Sequence, residues 1–173
     1  MKLSAIVFAS ALIVPAAGLA QSVNDAHIAS IVVTANQVDI DAGNFAKTHA
    51  KNPQVKQFAQ QMVTDHTGVN KQAVALATKL KVTPEDNPTS QSLKSGGEAN
   101  VTKLKTLKGA DFDKAYIDHE VDYHQAVLDA VDKTLIPNAK NAELKELLVK
   151  TRPAFVAHLE HAKHVQAELS GKK

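Results

Sequence analysis

Four long stretches of this chain carry apolar residues at alternating steps of three and four, the spacing of a helix that packs against other helices. They run from Asp25 to about Ala50, from Pro53 to about Leu80, from Asp111 to about Leu135, and from Asn141 to Leu169. Aromatic residues make up only 4% of the chain, so small aliphatic side chains must fill most of the core. We therefore predict an all-α fold with four long helices packed as a bundle.

Helix boundaries are marked by Asn, Gly and Pro. Asn52-Pro53 is typical of a helix start, because Asn caps free N–H groups and Pro fits the first turn. Gly109-Ala110-Asp111 is expected to end one helix and cap the next with Asp111. Pro137-Asn138 should close the third long helix, and Asn141 should open the last. Pro153 is expected to bend or split that last helix.

The segment between the second and third long helices is polar and rich in Pro and Gly. Residues 82–97 hold two prolines and two glycines, and this composition predicts a long surface connection. Val101, Leu104 and Leu107 then mark a short extra amphipathic helix. Together the two parts could carry the chain along the length of the bundle.

The N-terminus has the layout of a secretory signal peptide. Lys2 precedes the apolar run from Ala5 to Val14, and Gly18-Leu19-Ala20 provides small residues at the end. We expect cleavage after Ala20, which leaves residues 21–173 as a single domain. The apolar run is too short to span a membrane stably, and no other segment could span one, so a periplasmic or secreted location is predicted.

Composition excludes several function classes. The formal net charge is +2, from 20 basic and 18 acidic residues, without a basic block, so nothing indicates nucleic-acid binding. The chain has no Cys, which excludes Cys-based zinc sites, iron–sulfur clusters and covalent c-type haem. We expect no haem cofactor. The sequence leaves the oligomeric state open.

Each predicted long helix has one polar residue in its seam, the row of apolar side chains that faces the other helices. These residues are Asp39, His66, His124 and His158. At 1.5 Å per residue, Asp39 and His66 lie about 17 and 20 Å from the turn between their helices, so they should be level. His124 and His158 lie about 17 and 26 Å from theirs, and match only if the last helix overhangs or Pro153 shortens its path.

Whether Asp39 faces the core depends on which apolar stripe of the first helix is taken as the buried one; each choice is called a frame. In one frame the stripe through Ile28 and Val32 places Asp39 in the core. In a second frame, through Ile31 and Val38, Asp39 lies at the edge of the stripe. The pattern of this helix alone does not separate the two frames.

Four buried polar groups need partners, because an unpaired one costs about 1–3 kcal/mol. Three neutral imidazoles and one carboxylate are a suitable ligand set for Zn²⁺, or for Fe or Mn with an added water. Asp39, His66, His124 and His158 are therefore predicted to bind one divalent transition-metal ion. A hydrogen-bond network without metal is the alternative for the same residues.

The remaining histidines are interpreted separately. His158, His161 and His164 are spaced by three, but they fan across about 120° of a helix, so one ion cannot reach all three. His161 is left undecided between an outer ligand and a residue that orients the site. Surface positions are expected for the others, namely His27, His49, His119 and His164.

Four segments of the chain have a recognisable pattern: Asn36 to Gly43, Phe58 to His66 ending in Met-Val-Thr-Asp-His, Phe112-Asp113-Lys114-Ala115-Tyr116 with His124, and His158-Leu159 after Pro153. They resemble an uncharacterised family of exported bacterial ferritin-like proteins, classified as a domain of unknown function. The resemblance implies a ferritin-like four-helix fold in the cell envelope, with Asp39, His66, His124 and His158 at characteristic positions. It implies no established activity.

The chain departs from ferritin-like di-iron proteins in its ligand pattern. Those sites use Glu-x-x-His on two helices, whereas Glu120 and His124 are four residues apart, and no Glu falls in the other seams. A mononuclear, histidine-rich site is therefore favoured over a carboxylate-bridged pair.

Three functions remain in competition. The first is metal handling or stress protection in the envelope by a metal-binding protein. The second is a metal-dependent redox or hydrolytic enzyme at the same site, with Tyr116, Tyr123 or His161 as proton donor. The third is a metal-free structural or interaction module whose polar core fixes the helix register.

Overall fold

Helices form nearly all of residues 23–171, which a computed structural model describes, and this range contains no strand. They are α1 (Asp25–His49), α2 (Pro53–Lys79), α3 (Pro88–Lys105), α4 (Gly109–Ala130), a π-helical segment (Val131–Leu135), α5 (Ile136–Asn138) and α6 (Ala142–Leu169). The all-α prediction is confirmed. The predicted signal peptide, residues 1–20, and its cleavage site lie outside the described residues.

Asn residues open four of these helices. The side chains of Asn24, Asn52, Asn87 and Asn141 each accept a hydrogen bond from a backbone N–H in the first turn. The predicted starts at Asn52-Pro53 and Asn141 are thus confirmed. The predicted cap at Asp111 is wrong. Helix α4 begins two residues earlier, at Gly109 with φ of 60°, and Asp111 lies in its first turn, where an acidic side chain favours the helix dipole.

The predicted loop over residues 82–97 is also wrong in its second half. Helix α3 begins at Pro88, where the side chains of Asn87 and Ser90 each accept a hydrogen bond from the other residue's backbone N–H. Gly97, interpreted as a breaker, lies inside α3 and is buried against α1. A Cβ atom there would lie 2.7 Å from Val38 Cγ1, so glycine permits the close approach of the two helices.

Helix α1 packs against α2 on one side and α3 on the other, while α4 packs along α6 and α2 also contacts α6. Because α1 is covered on two sides, both of its candidate stripes are buried. Asp39 is accordingly buried whichever frame is chosen, with only 1% of its surface exposed. Among the described residues, no helix combines the length and apolar character needed to cross a membrane.

Two acidic side chains tie the helix connections to distant helices. Asp113 on α4 accepts hydrogen bonds from the backbone N–H groups of Lys51 and Asn52, at 2.9 and 2.8 Å. Asp25 on α1 accepts from those of Lys140 and Asn141, at 2.8 and 2.9 Å. These contacts satisfy backbone donors at the turns and fix how the long helices are aligned along their axes.

Of the bend or split predicted at Pro153, the split is wrong, because helix α6 runs unbroken past Pro153 to Leu169. His124 and His158 were expected at different distances from the turn between their helices. A longer helical path after α4 reduces this difference, since the chain stays helical to Asn138 rather than ending near Leu135. Fourteen residues of helix place His124 about 20 Å from that end. This value approaches the roughly 26 Å expected for His158 and leaves little overhang.

Candidate metal centre

The four polar seam residues lie between two apolar core clusters. One cluster surrounds Phe58 and Tyr116, and the other surrounds Ile28 and Phe155. The residues that flank each polar position come from the two clusters: Ile31 and Ala42 around Asp39, Met62 and Ala73 around His66, Ile117 and Leu128 around His124, and Phe155 and Ala162 around His158. The polar groups thus form one layer across the four long helices.

Three histidines meet in this layer. The ring centroids are 5.6 Å apart for His66 and His124, 5.2 Å for His66 and His158, and 5.4 Å for His124 and His158. One nitrogen from each lies within 4.8 Å of those of the other two. No more than 3% of any of these residues is exposed. His158 therefore lies level with the other two, a match that its distance along the last helix had left conditional.

One ring nitrogen of each histidine is hydrogen-bonded to an oxygen atom. The distances are 2.8 Å from His66 Nδ1 to Asn36 Oδ1, 3.0 Å from His124 Nδ1 to the Glu120 carbonyl, and 2.9 Å from His158 Nε2 to Asp65 Oδ2. A carbonyl or carboxylate oxygen only accepts, so each of these ring nitrogens donates its hydrogen. The opposite nitrogen of each ring then presents a lone pair.

The three opposite nitrogens have no hydrogen-bond partner. They are His66 Nε2, His124 Nε2 and His158 Nδ1, all buried. An unpaired buried nitrogen is expensive, so three at one point indicate that something other than protein satisfies them. Lone pairs from three neutral imidazoles are suitable metal ligands.

Asp39 adds a carboxylate to this group. Its Oδ2 lies 3.0 Å from His66 Nε2 and 3.5 Å from His124 Nε2, yet neither contact is a hydrogen bond, and both Asp39 oxygens are unpartnered. Two ligands at about 2.0–2.1 Å from a tetrahedral Zn²⁺ lie about 3.3 Å apart. The two distances therefore match ligands that are aimed at one ion.

Burial keeps the imidazoles of His66 and His124 neutral. It lowers the pKa of His66 to about 3, and the neighbouring His158 adds to this shift. It lowers the pKa of His124 to about 4 against the attraction of Asp39. Both rings therefore hold free lone pairs at neutral pH. Burial also raises the pKa of Asp39, although the nearby His124 opposes that change.

Glu120 extends the polar layer on the α4 side. It is 1% exposed, and its Oε2 lies 3.4 Å from His124 Nδ1 without a hydrogen-bond partner. Asp39, Glu120 and His124 each offer one ligand atom within 4.8 Å of the others, so they form a second group that could hold a metal. Burial, followed by repulsion from Asp39, raises the pKa of Glu120 well above its usual range.

Sequence reasoning missed the roles of Asn36, Asp65 and Glu120. Glu120 lies one helical turn before His124, and this spacing was its only signal. Asp65 precedes His66 and lies about 100° away from it around α2, on a flank that faces α6 and His158. Asn36 lies three residues before Asp39 on the same face of α1, and this spacing was its only signal.

The other histidines lie outside the group. His161 Nδ1 is 3.0 Å from Gln61 Oε1, and its ring packs edge-on against Phe58. His49 and His164 are exposed, as predicted. The surface prediction for His27 is wrong, because residues 85–87 cover the start of α1 and leave His27 only 6% exposed.

The candidate proton donors also have defined positions. Tyr123 donates a hydrogen bond of 2.9 Å to the Ala35 carbonyl. Tyr116 is fully buried, and its hydroxyl has no hydrogen-bond partner. Burial, reinforced by the Glu120 and Asp39 carboxyl groups, raises the pKa of Tyr116 well above its usual range. Tyr116 is thus held in the neutral phenol form.

A cavity of about 240 Å³ adjoins the centre. Asp39, His66 and His124 line it, whereas His158 does not. Its other walls are mainly aliphatic side chains from α1, α4, the π-helical segment and α6, and Thr89 and Leu93 from α3 also contribute. The buried polar layer is therefore reached from one side through an apolar space.

The described residues contain two groups that could hold a metal ion, His66 with His124 and His158, and Asp39 with Glu120 and His124. Three lone-pair nitrogens and one carboxylate could hold a metal ion, and the set contains the predicted residues Asp39, His66, His124 and His158. The absence of Cys excludes iron–sulfur clusters with cysteine ligands.

Comparison with known proteins assigns the chain to a family. No curated protein and no solved structure matches it. The family model for the domain of unknown function DUF4142 matches residues 12–165, which is most of the chain. The protein therefore belongs to the DUF4142 family.

Proposed function

We propose that this protein binds one divalent transition-metal ion, Zn²⁺, Fe²⁺ or Mn²⁺, through His66, His124, His158 and Asp39. The observation that carries the proposal is the pairing of roles in each imidazole: one nitrogen donates to an oxygen, and the other is buried without a partner. Proteins orient metal-binding histidines in this way. No protein atom pairs with any of the three nitrogens, so a metal-free polar network would need bound water to avoid a cost of about 1–3 kcal/mol each.

The test is metal binding by protein purified without a His tag. We expect one zinc ion per chain in a calorimetric titration. His124→Ala should weaken binding by at least about 100-fold, since loss of a group that merely orients a ligand already costs 10–100-fold. The matched control is His164→Ala, because His164 is exposed and lies on the same helix as His158. This variant should bind zinc like the wild type. Absence of bound metal in both proteins would overturn the proposal.

We further propose that α1, α2, α4 and α6 form a ferritin-like four-helix bundle in an exported protein, with a role in metal handling or stress protection in the cell envelope. The pairwise packing of α1 with α2 and of α4 with α6 supports the bundle. The signal-like N-terminus supports export. N-terminal sequencing of the protein from fractionated cells tests this: a soluble envelope fraction and a first residue of Gln21 are expected, and an intact Met1 in the cytoplasm would contradict export.

A metal-dependent enzyme is the second candidate. It is favoured by the cavity, which gives access to Asp39, His66 and His124 from outside the core. Hydrolysis of small esters by the zinc-loaded protein is a direct assay. Activity lost in His124→Ala and kept in His164→Ala would support catalysis at this centre, and equal rates in all three proteins would exclude it there.

A further inference from the structure

We propose that the cavity beside the centre binds a medium-chain monocarboxylate, with the carboxylate on the metal ion and the alkyl chain in the cavity. The inference rests on the proposed function, because the ion is what holds the carboxylate. It adds a ligand class and a binding site that metal binding alone does not require.

The size of the cavity sets the size of the ligand. An apolar cavity of about 150 Å³ holds one benzene molecule, with its six carbon atoms. At that packing, the 240 Å³ here accommodates about ten non-hydrogen atoms. Octanoate, with ten non-hydrogen atoms, fills this space, whereas a single water or an inorganic anion does not.

The walls determine that the body of the ligand is apolar. Val127, Leu135, Leu147 and Phe155 are among the lining side chains. The polar side chains in the wall away from the centre are largely satisfied within the protein. Thr151 donates to the Leu147 carbonyl, for example, and Tyr123 donates to the Ala35 carbonyl. A ligand body that contacts these walls needs no polar atoms.

The inner end of the cavity determines the head group. The unpartnered atoms among the lining residues are both Asp39 oxygens, His66 Nε2 and His124 Nε2. Within the ligand set of Asp39 and three neutral imidazoles, a divalent ion keeps one net positive charge, which is costly beside apolar walls. Asp65 and Glu120 contact the outer ring nitrogens of His158 and His124, and neither of them lines the cavity, so the side of the ion that faces the cavity has no anionic partner besides Asp39. A carboxylate that occupies a fifth coordination position neutralises this charge, and neither a neutral amide nor an alcohol does so.

The outer end of the cavity gives a route of entry. Ala126 on α4 and Thr89 on α3 line the cavity and are exposed, so the cavity opens between these two helices. The polar centre lies at the opposite, buried end. A linear molecule with one charged end and an apolar tail fits this arrangement when it enters head first.

Calorimetric titration with octanoate tests the site, with octanamide as the neutral ligand of matched size. We expect the zinc-loaded protein to bind octanoate at least about tenfold more tightly than octanamide, and the chelator-treated protein to lose that preference. Ala130→Phe fills the cavity away from the metal ligands and should lower octanoate affinity by about tenfold or more. Ala126→Phe, at the mouth, serves the same purpose if Ala130→Phe does not fold.

Zinc titrations of the same variants separate this inference from the proposed function. Ala130→Phe and the control Ala75→Phe, at an exposed site on α2, should both bind zinc like the wild type, and only Ala130→Phe should lose octanoate. If the wild type does not bind zinc, both proposals are overturned. Normal zinc binding overturns the ligand site alone if octanoate fails to bind, is not preferred over octanamide, or binds equally well to Ala130→Phe and Ala126→Phe.

Discussion

Asp65 reaches the centre from the protein surface. Its side chain is 41% exposed, while that of its partner His158 is only 3% exposed. The Asp65 carboxylate accepts the hydrogen of His158 Nε2, and this contact leaves Nδ1 as the buried nitrogen with a free lone pair. A carboxylate in this position also makes the imidazole a more basic ligand.

Asp65→Asn should therefore weaken zinc binding by about 10–100-fold without unfolding the protein. The amide oxygen can still accept the hydrogen bond, but it lacks the charge that raises ligand basicity. Asp41→Asn, at an exposed position on α1, is the control and should leave zinc affinity unchanged. A zinc affinity for Asp65→Asn within twofold of the wild type would show that Asp65 does not support the ligand.

Acid should destabilise the metal-free protein through His66 and His124. In the unfolded chain each takes up a proton near pH 6.5, but in the folded protein only near pH 3 and pH 4. Between about pH 6.5 and pH 4 the unfolded state thus binds more protons, and each histidine lowers the free energy of unfolding by about 1.4 kcal/mol per pH unit as the pH falls. Asp39 and Glu120, whose pKa values are raised, act in the opposite direction.

The variants His66→Gln and His124→Gln, compared with the wild type, isolate the contribution of each histidine to the acid-dependent free energy of unfolding. Urea unfolding with chelator at several pH values between 4 and 6.5 should show a smaller acid-induced loss of stability in each variant than in the wild type. Parallel pH profiles for all three proteins would contradict the low pKa values.

Much of this centre could be predicted at the level of single residues. Asp39, His66, His124 and His158 interrupt apolar seams, and a seam fixes which side of a helix is buried. Their partners Asp65 and Asn36 were not predictable in the same way, because a hydrogen bond between helices depends on rotation and axial position, which the pattern of one helix does not define.

Helix α3 shows how the same limits apply to a whole element. Asn87-Pro88 has the same start signal as Asn52-Pro53, so the sequence indicates where α3 begins. The prediction instead placed residues 82–97 in a surface connection because of their two prolines and two glycines, and glycine is unfavourable inside helices. The two glycines have different roles. Gly97 is buried against Val38 on α1, whereas a Cβ at Gly96 would meet nothing within 4 Å.

These neighbours therefore form a matched pair for mutation. Gly97→Ala would place its Cβ 2.7 Å from Val38 Cγ1 and force α3 away from α1, so a loss of about 1–3 kcal/mol in unfolding free energy is expected. Gly96→Ala should instead stabilise the protein by about 0.5–1 kcal/mol, because alanine has the higher helix propensity. Equal effects of the two substitutions in thermal unfolding would show that α3 does not approach α1 this closely.

For the molecule as a whole, the centre joins two apolar cores and four long helices, so occupancy by metal should affect global stability. Without an ion, the layer holds Asp39, Glu120 and three imidazole nitrogens with unpartnered buried atoms. These groups weaken the fold at the point where α1, α2, α4 and α6 meet. A metal ion that binds only the folded state removes this cost and adds its own binding free energy.

Zinc at 100 times its dissociation constant should raise the unfolding free energy by about 2.7 kcal/mol. For a protein of this size that corresponds to an increase in Tm of about 5–10 °C. His124→Ala should lose the zinc-dependent increase, because it removes a ligand, whereas His164→Ala should keep it. The alternative of a metal-free polar module predicts equal Tm values with zinc and with chelator in all three proteins. The sensitivity of Tm to zinc, compared between these two histidine variants, therefore decides whether the polar layer is a metal centre or only fixes the register of the helices.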